Sequence, residues 1–178
     1  MELKFRLVSS DSDEFFRDIA MKETHTFADF HFAIQDACNY DKSQMTSFFI
    51  ADENWERGFE IPLMKMQDED ISMDECKLGD FLKKPKDRLI YVFDFFSNRA
   101  FYLELFGTTE ETKGKKYPYL ISERGDAPKQ ICIEDVSIND ILDEDLDAIY
   151  GEETRSGEDL DDYNLFTNID EVEEGEDY

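Results

Sequence analysis

The chain has 178 residues, 45 acidic and 19 basic, and a formal net charge of −26. That charge argues against DNA, RNA and anionic membranes as direct partners, because their phosphates would repel it. No apolar run approaches the roughly 20 residues of a membrane helix, and the three separated cysteines, Cys38, Cys76 and Cys132, suit reduced thiols; the expectation is a cytoplasmic protein.

Leu3, Phe5 and Leu7 alternate with Lys4 and Arg6, which predicts a half-buried strand. Ser9 to Asp13 is turn chemistry. A second strand follows from Phe15 to Lys22, with Phe15, Ile19 and Met21 on one face and Arg17 interrupting it. Thr26 and Asp29 have the spacing of a capping box. Phe27, Phe30, Ile34, Ala37 and Cys38 then recur at helical spacing, predicting a helix over about 27–39. Ser47 to Ala51 and Phe59 to Leu63 read as strands three and four, and Met64 to Glu75 as a polar connection. Leu78, Phe81 and Leu82 read as a short helix stopped near Pro85. Leu89 to Phe95 and Phe101 to Phe106 give the two strongest strands, joined through a turn at Phe96 to Arg99. Residues 107–133 read as a loop-rich extension, tucked against the sheet by Tyr119, Leu120, Ile121, Ile131 and Ile133.

Strand, strand, helix and further strands is the order of an α+β fold of β-grasp (ubiquitin-like) type, one main helix crossing a mixed sheet. The phenylalanines, sixteen in the chain and nearly all before Glu134, place the core in residues 1–133. Residues 134–178 are different. They hold nineteen acidic residues against the single Arg155, a net −18, which leaves only −8 for the first 133. Within this acidic tail, Ser137 precedes Ile138, Ile141, Leu142, Leu146 and Ile149, the pattern of an amphipathic helix at 138–150.

Several of these stretches resemble the plasmid pRi ORF-three-like family. They are Thr26 to Gln35, Gln44 to Asp52, Leu89 to Phe95, and Tyr117-Pro-Tyr-Leu through Gly125-Asp-Ala-Pro128. The resemblance implies a compact α+β domain over residues 1–133. Family members also carry insertion-sequence passenger and resolvase-like labels, which imply association with mobile elements. Relatives have His where this chain has Gln44, and Gly-Asp, Trp and His around the turn where it has Phe96, Ser97, Arg99 and Phe101. Whatever that polar cluster does in relatives is therefore not carried over.

Catalytic and metal chemistry fit the residues poorly. A recombinase needs a nucleophile among arginines and a basic DNA-binding face. The basic clusters Lys83 to Arg88 and Lys113 to Lys116 read instead as solvated loops. Asp143, Asp145 and Asp147 match positions one, three and five of a calcium loop, but Ala148 and Thr154 stand where Gly and Glu are needed. With two histidines and no Cys-x-x-Cys, zinc lacks ligands; His31 is expected to be a partly exposed structural residue. Cys38 lies seven residues, about 10 Å along the helix, from His31 and is expected to pack in the core. Trp55, beside Asp52, Glu53 and Glu56, is read either as a contact surface or as a cap on the sheet edge. The functional expectation is a non-catalytic interaction module without cofactor or metal, its partner a basic or grooved protein. Trp55, Ile138, Ile141, Leu142, Leu146, Ile149, Tyr163 and Phe166 are the candidate contacts. The alternatives are a tail that docks on its own core for solubility or self-regulation, and a resolvase-like protein.

Overall fold

Alternation along the first strands is realised as an antiparallel hairpin, β1 (Glu2–Ser9) with β2 (Phe16–Lys22), in which Leu3 faces Met21 and Phe5 faces Ile19. This computed structural model describes residues 1–65 and 71–132; the acidic tail and its expected helix lie outside the described residues. Helix α1 (Phe27–Cys38) starts at the capping box. Thr26 Oγ1 accepts from Asp29 N at 3.1 Å, and Asp29 Oδ2 accepts from Thr26 N at 2.9 Å. It ends at Asn39, whose left-handed φ of 55° is one that Asn tolerates. Then come β3 (Ser47–Ala51), β4 (Arg57–Pro62), α2 (Leu78–Phe81), β5 (Arg88–Asp94), β6 (Arg99–Thr109) and β7 (Tyr119–Arg124).

The strands form one seven-stranded sheet in the order β4-β3-β5-β6-β1-β2-β7, and every recorded pairing is antiparallel. A seven-stranded antiparallel sheet with two helices among the described residues is an α+β or mostly β architecture. The mixed sheet of the expected β-grasp does not hold. The α1 connection joins β2 to β3, which run the same way, but β1, β6 and β5 stand between them, so no parallel pair forms. The supposed loop-rich extension is corrected too. Tyr119 to Arg124 is a strand that pairs with β2, and Leu120, Ile121 and Ile131 are exposed rather than tucked in.

Phe27, Phe30 and Ile34 of α1 are fully buried against one face of the sheet. Phe30 meets Phe5 at 4.6 Å and Phe48 at 5.6 Å between ring centroids, and Phe27 meets Phe48 at 5.3 Å. Burial of such rings is the main stabilising term, about 3–5 kcal/mol for each on truncation to Ala. Cys38 packs in this core as expected, and burial pushes its thiol pKa up to about 12, so it is protonated and inert. No helix among the described residues is long and apolar enough to cross a membrane.

The interrupting Arg17 has a structural job. It is almost fully buried on the core side, with its guanidinium 4.6 Å from the Phe15 ring. Nε donates to Ala37 O at 3.0 Å, and Nη1 to the carbonyls of Phe16, Arg124 and Gly125 at 2.9, 2.9 and 3.0 Å. One side chain thus satisfies a carbonyl at the end of α1 and clamps β7 to β2. Gly125 is needed beside it: its φ is 69°, and a Cβ there would sit 2.8 Å from Glu14 O.

Candidate functional site

The β3–β4 turn is built around Asp52. Its carbonyl accepts from Trp55 N at 3.2 Å, and its Oδ1 accepts from Asn54 N and Glu56 N at 2.8 and 2.9 Å. This tight turn followed by a left-handed residue places Trp55 at φ 63°. Glycine is the residue such a position favours, because a β-carbon crowds the backbone there. A bulky side chain at this φ is a genuine outlier, and outliers of this kind concentrate at functional sites.

Trp55 leans over the sheet face opposite α1. Its ring meets Tyr102 edge-on at 5.3 Å, and the Arg88 guanidinium lies 4.6 Å from its centroid. Beneath lies a small second core of Ile90, Val92 and Ala100, flanked by Phe49 and Ala51. Arg88 is fixed by Glu104 at 3.0 Å and by the Glu53 carbonyl. Arg57, the first residue of β4, stacks 5.2 Å from the Phe49 centroid and donates to Asn98 Oδ1 at 2.9 Å. Trp55 is half-buried: it packs on the sheet beside an edge and keeps part of its surface exposed.

Strand β4 is that edge. It pairs with β3, and among the described residues no strand pairs with its other side. Arg57 to Glu60 are exposed. Phe59 stacks on Phe81 of α2 at 6.0 Å with its rings 12° apart, yet stays 52% exposed. Asp52, Glu53, Glu56 and Glu60 stand exposed around it.

Elsewhere, the open face carries an ionic row in register across four strands. Arg88 pairs with Glu104, and Arg6 donates twice to Asp18 at 2.8 Å. Ser122 of β7 adds a third bond to Asp18 at 2.7 Å. Burial pushes the Asp18 pKa up, but the bonds from Arg6 and Ser122 outweigh it and hold the carboxyl below its ordinary value. Phe96 and Phe101 part company: Phe101 is wholly in the core, stacked on Phe15 at 5.3 Å, whereas Phe96 is fully exposed at the β5–β6 turn.

His31 corrects its expectation. It is fully buried, with Nδ1 2.7 Å from the Tyr91 hydroxyl and 3.1 Å from Thr46 Oγ1, while Gln35 Nε2 also donates to that hydroxyl at 2.5 Å. Burial, and to a lesser degree Lys42, lowers the imidazole pKa to about 4, so it is neutral near pH 7. Its partners come from β5 and the α1–β3 loop, which no local pattern reveals. Among the described residues no three His, Cys, Asp or Glu side chains cluster with the geometry of a metal site. Lys113–Lys116 is an exposed loop, as expected; of the Lys83 to Arg88 cluster, Lys83 to Lys86 are exposed, but Arg88 opens β5 and is half-buried between Glu104 and Trp55 rather than in a solvated loop. Of the candidate contacts, only Trp55 is in view. Ile138, Ile141, Leu142, Leu146, Ile149, Tyr163 and Phe166 lie outside the described residues, as do Asp143, Asp145 and Asp147. Sequence reasoning missed Phe59 and Glu60, whose only signal was their place just after the Trp55 turn.

Comparison with known proteins gives a family and a fold. The model of the plasmid pRiA4b ORF-3-like protein family matches residues 1–165, so the chain belongs to that family. The match runs across the boundary at residue 133 that the charge distribution suggests. No curated protein matches the chain. A crystal structure of a protein of unknown function from Methanosarcina mazei Go1 is similar, with a TM-score of 0.59 and 22% identity, over 71% of each chain. That likeness extends to the fold alone.

Proposed function

We propose that this member of the plasmid pRiA4b ORF-3-like family is a non-catalytic protein-interaction module that presents Trp55 and the adjacent β4 edge to its partner. The observation that carries the reading is the backbone of Trp55. The chain's one tryptophan occupies a left-handed turn position at φ 63°, where glycine would be unstrained, beside a sheet edge with no described partner. Tryptophan, with tyrosine and arginine, is enriched among the residues that anchor interfaces. The anionic residues 134–178 supply long-range attraction for a basic partner. Residues 138–149, with their apolar spacing, supply the contact chemistry of an amphipathic helix in a groove.

Affinity capture from lysate, compared across the full chain, Trp55→Ala and a chain ended after Ile133, tests this. Both changes should reduce recovery of the same partner at least tenfold. Undiminished recovery with Trp55→Ala would contradict the reading. The self-docking alternative draws on the family match, which continues to residue 165; it predicts that the shortened chain melts lower or aggregates.

A further inference from the structure

We infer that the free edge of β4 takes an extended basic segment, alternating basic with apolar residues, as an added eighth strand. This deepens the interaction reading and rests on it. Between Arg57 and Ile61 the residues not used in the ladder to β3 turn main-chain donors and acceptors to the side that no described strand pairs. The two sides of an added strand would meet different chemistry, because side chains alternate across a sheet. On the α1 side stands Phe59, stacked on Phe81 and half-exposed, an apolar shelf at the very edge. On the other side stands Glu60, opposite Phe49 in register, with Glu56, Glu53 and Asp52 in the turn just before β4. Four exposed carboxylates thus border this edge. Arg57 and Arg88, the bases among them, are already engaged by Asn98 and Phe49 and by Glu104 and Trp55. A segment with apolar side chains on the Phe59 shelf and lysine or arginine on the carboxylate side satisfies both. The net −26 of the whole chain steers such a segment inward.

The far edge is built otherwise. Strand β7 carries Glu123 and Arg124 in succession, with Glu123 already drawn to Arg17 at 3.4 Å, and Lys115 lies 3.5 Å from the Tyr119 ring. Among the described residues it offers a basic segment no row of exposed carboxylates comparable to Glu53, Glu56 and Glu60.

The test is amide hydrogen exchange on the full chain with a blocked hexapeptide alternating lysine and leucine. Two controls accompany it: the same composition arranged as a lysine block and a leucine block, and an alternating glutamate–leucine peptide. The lysine–leucine alternation should slow exchange at Arg57 to Ile61 at least fivefold and leave Tyr119 to Arg124 unchanged. The double reversal Glu56→Lys with Glu60→Lys, at two exposed positions, should weaken that protection at least tenfold. The block peptide meets the same total charge, so equal protection from it would reduce the effect to non-specific attraction and overturn strand addition. Equal protection from the glutamate peptide, or protection at β7 instead of β4, would overturn it as well. If no peptide protects β4 while Trp55→Ala still abolishes partner capture, strand addition fails and the interaction reading stands. Capture that is indifferent to Trp55→Ala defeats the interaction reading whatever the peptides do.

Discussion

The two edges of the sheet are treated very differently. Strand β7 is fastened at several points: Arg17 donates to Arg124 and Gly125 carbonyls, Ser122 bonds Asp18, and the hydroxyls of Tyr117 and Tyr119 both donate to the buried Glu2. Strand β4 has its ladder to β3, a bond from Met73 N to Pro62 O at 3.0 Å at its end, the Arg57–Asn98 bond and the Phe59–Phe81 stack, and four of its six residues are exposed. Exposed edges invite pairing, and folded proteins ordinarily blunt them. The difference teaches that, among the described residues, this chain spends its buried polar groups on closing one side of the sheet and pairs no strand with the other, beside which its tryptophan stands.

The largest expected effect comes from loosening the closed edge. Arg17→Met keeps the apolar stem and removes the bonds to four carbonyls, and should destabilise the fold by about 3 kcal/mol in urea unfolding. Phe59→Ala, at the open edge, should cost no more than about 1 kcal/mol, since half of the ring is already in water. Equal losses at the two sites would erase the distinction.

Next comes a control that touches neither edge. The buried His31 titrates at about 4 in the folded protein against an ordinary 6.5. As pH falls, the unfolded chain takes up this proton first, so stability is full above pH 6.5 and declines through the window down to about 4. The loss should reach about 3 kcal/mol. His31→Asn should remove that slope from a plot of urea midpoint against pH. A slope unchanged in the variant would place its origin in another group of the same window, such as His25, whose pKa burial also lowers; the lowered carboxyls of Asp18 and Glu2 act only at more acid pH.

Smaller effects sharpen the contrast. Tyr119→Phe and Ser122→Ala each delete one bond holding β7 and should each cost about 1 kcal/mol. At the open edge the sign is set by the backbone. Trp55→Gly should be about 1 kcal/mol more stable than Trp55→Ala, because glycine alone is at ease at φ 63°. Both should lose the partner equally. If the two variants were equally stable, the turn would not be strained by its side chain.

What was legible in the sequence follows the same line. Helix α1 announced itself by local chemistry, its cap at Thr26 and its stripe from Phe27 to Cys38, and Ser47–Ala51 was bounded correctly because its apolar run from Phe48 to Ala51 stands between polar stretches. Strand β7 did not announce itself. Tyr119 to Arg124 has no alternation and follows lysines, Gly114 and Pro118; it is ordered by pairing with β2 and by Arg17, about a hundred positions away in sequence. His31 read as partly exposed because its partners, Tyr91 and Thr46, are distant too. The direction of the strand pairs was misread since strand order along the chain does not fix which strands become neighbours. Trp55 was singled out for its residue type, whereas its left-handed backbone and the free edge beside it are properties only of the folded chain.

The most direct measurement is site-specific photo-cross-linking in living cells, with benzoylphenylalanine placed at position 59 on β4 or at position 121 on β7. Both positions are exposed and neither side chain is part of the main core, so folding is matched. The account predicts a discrete adduct from position 59 that disappears when Trp55→Ala is added, and none from position 121. Adducts from position 121 alone, or from position 59 regardless of Trp55, would contradict it.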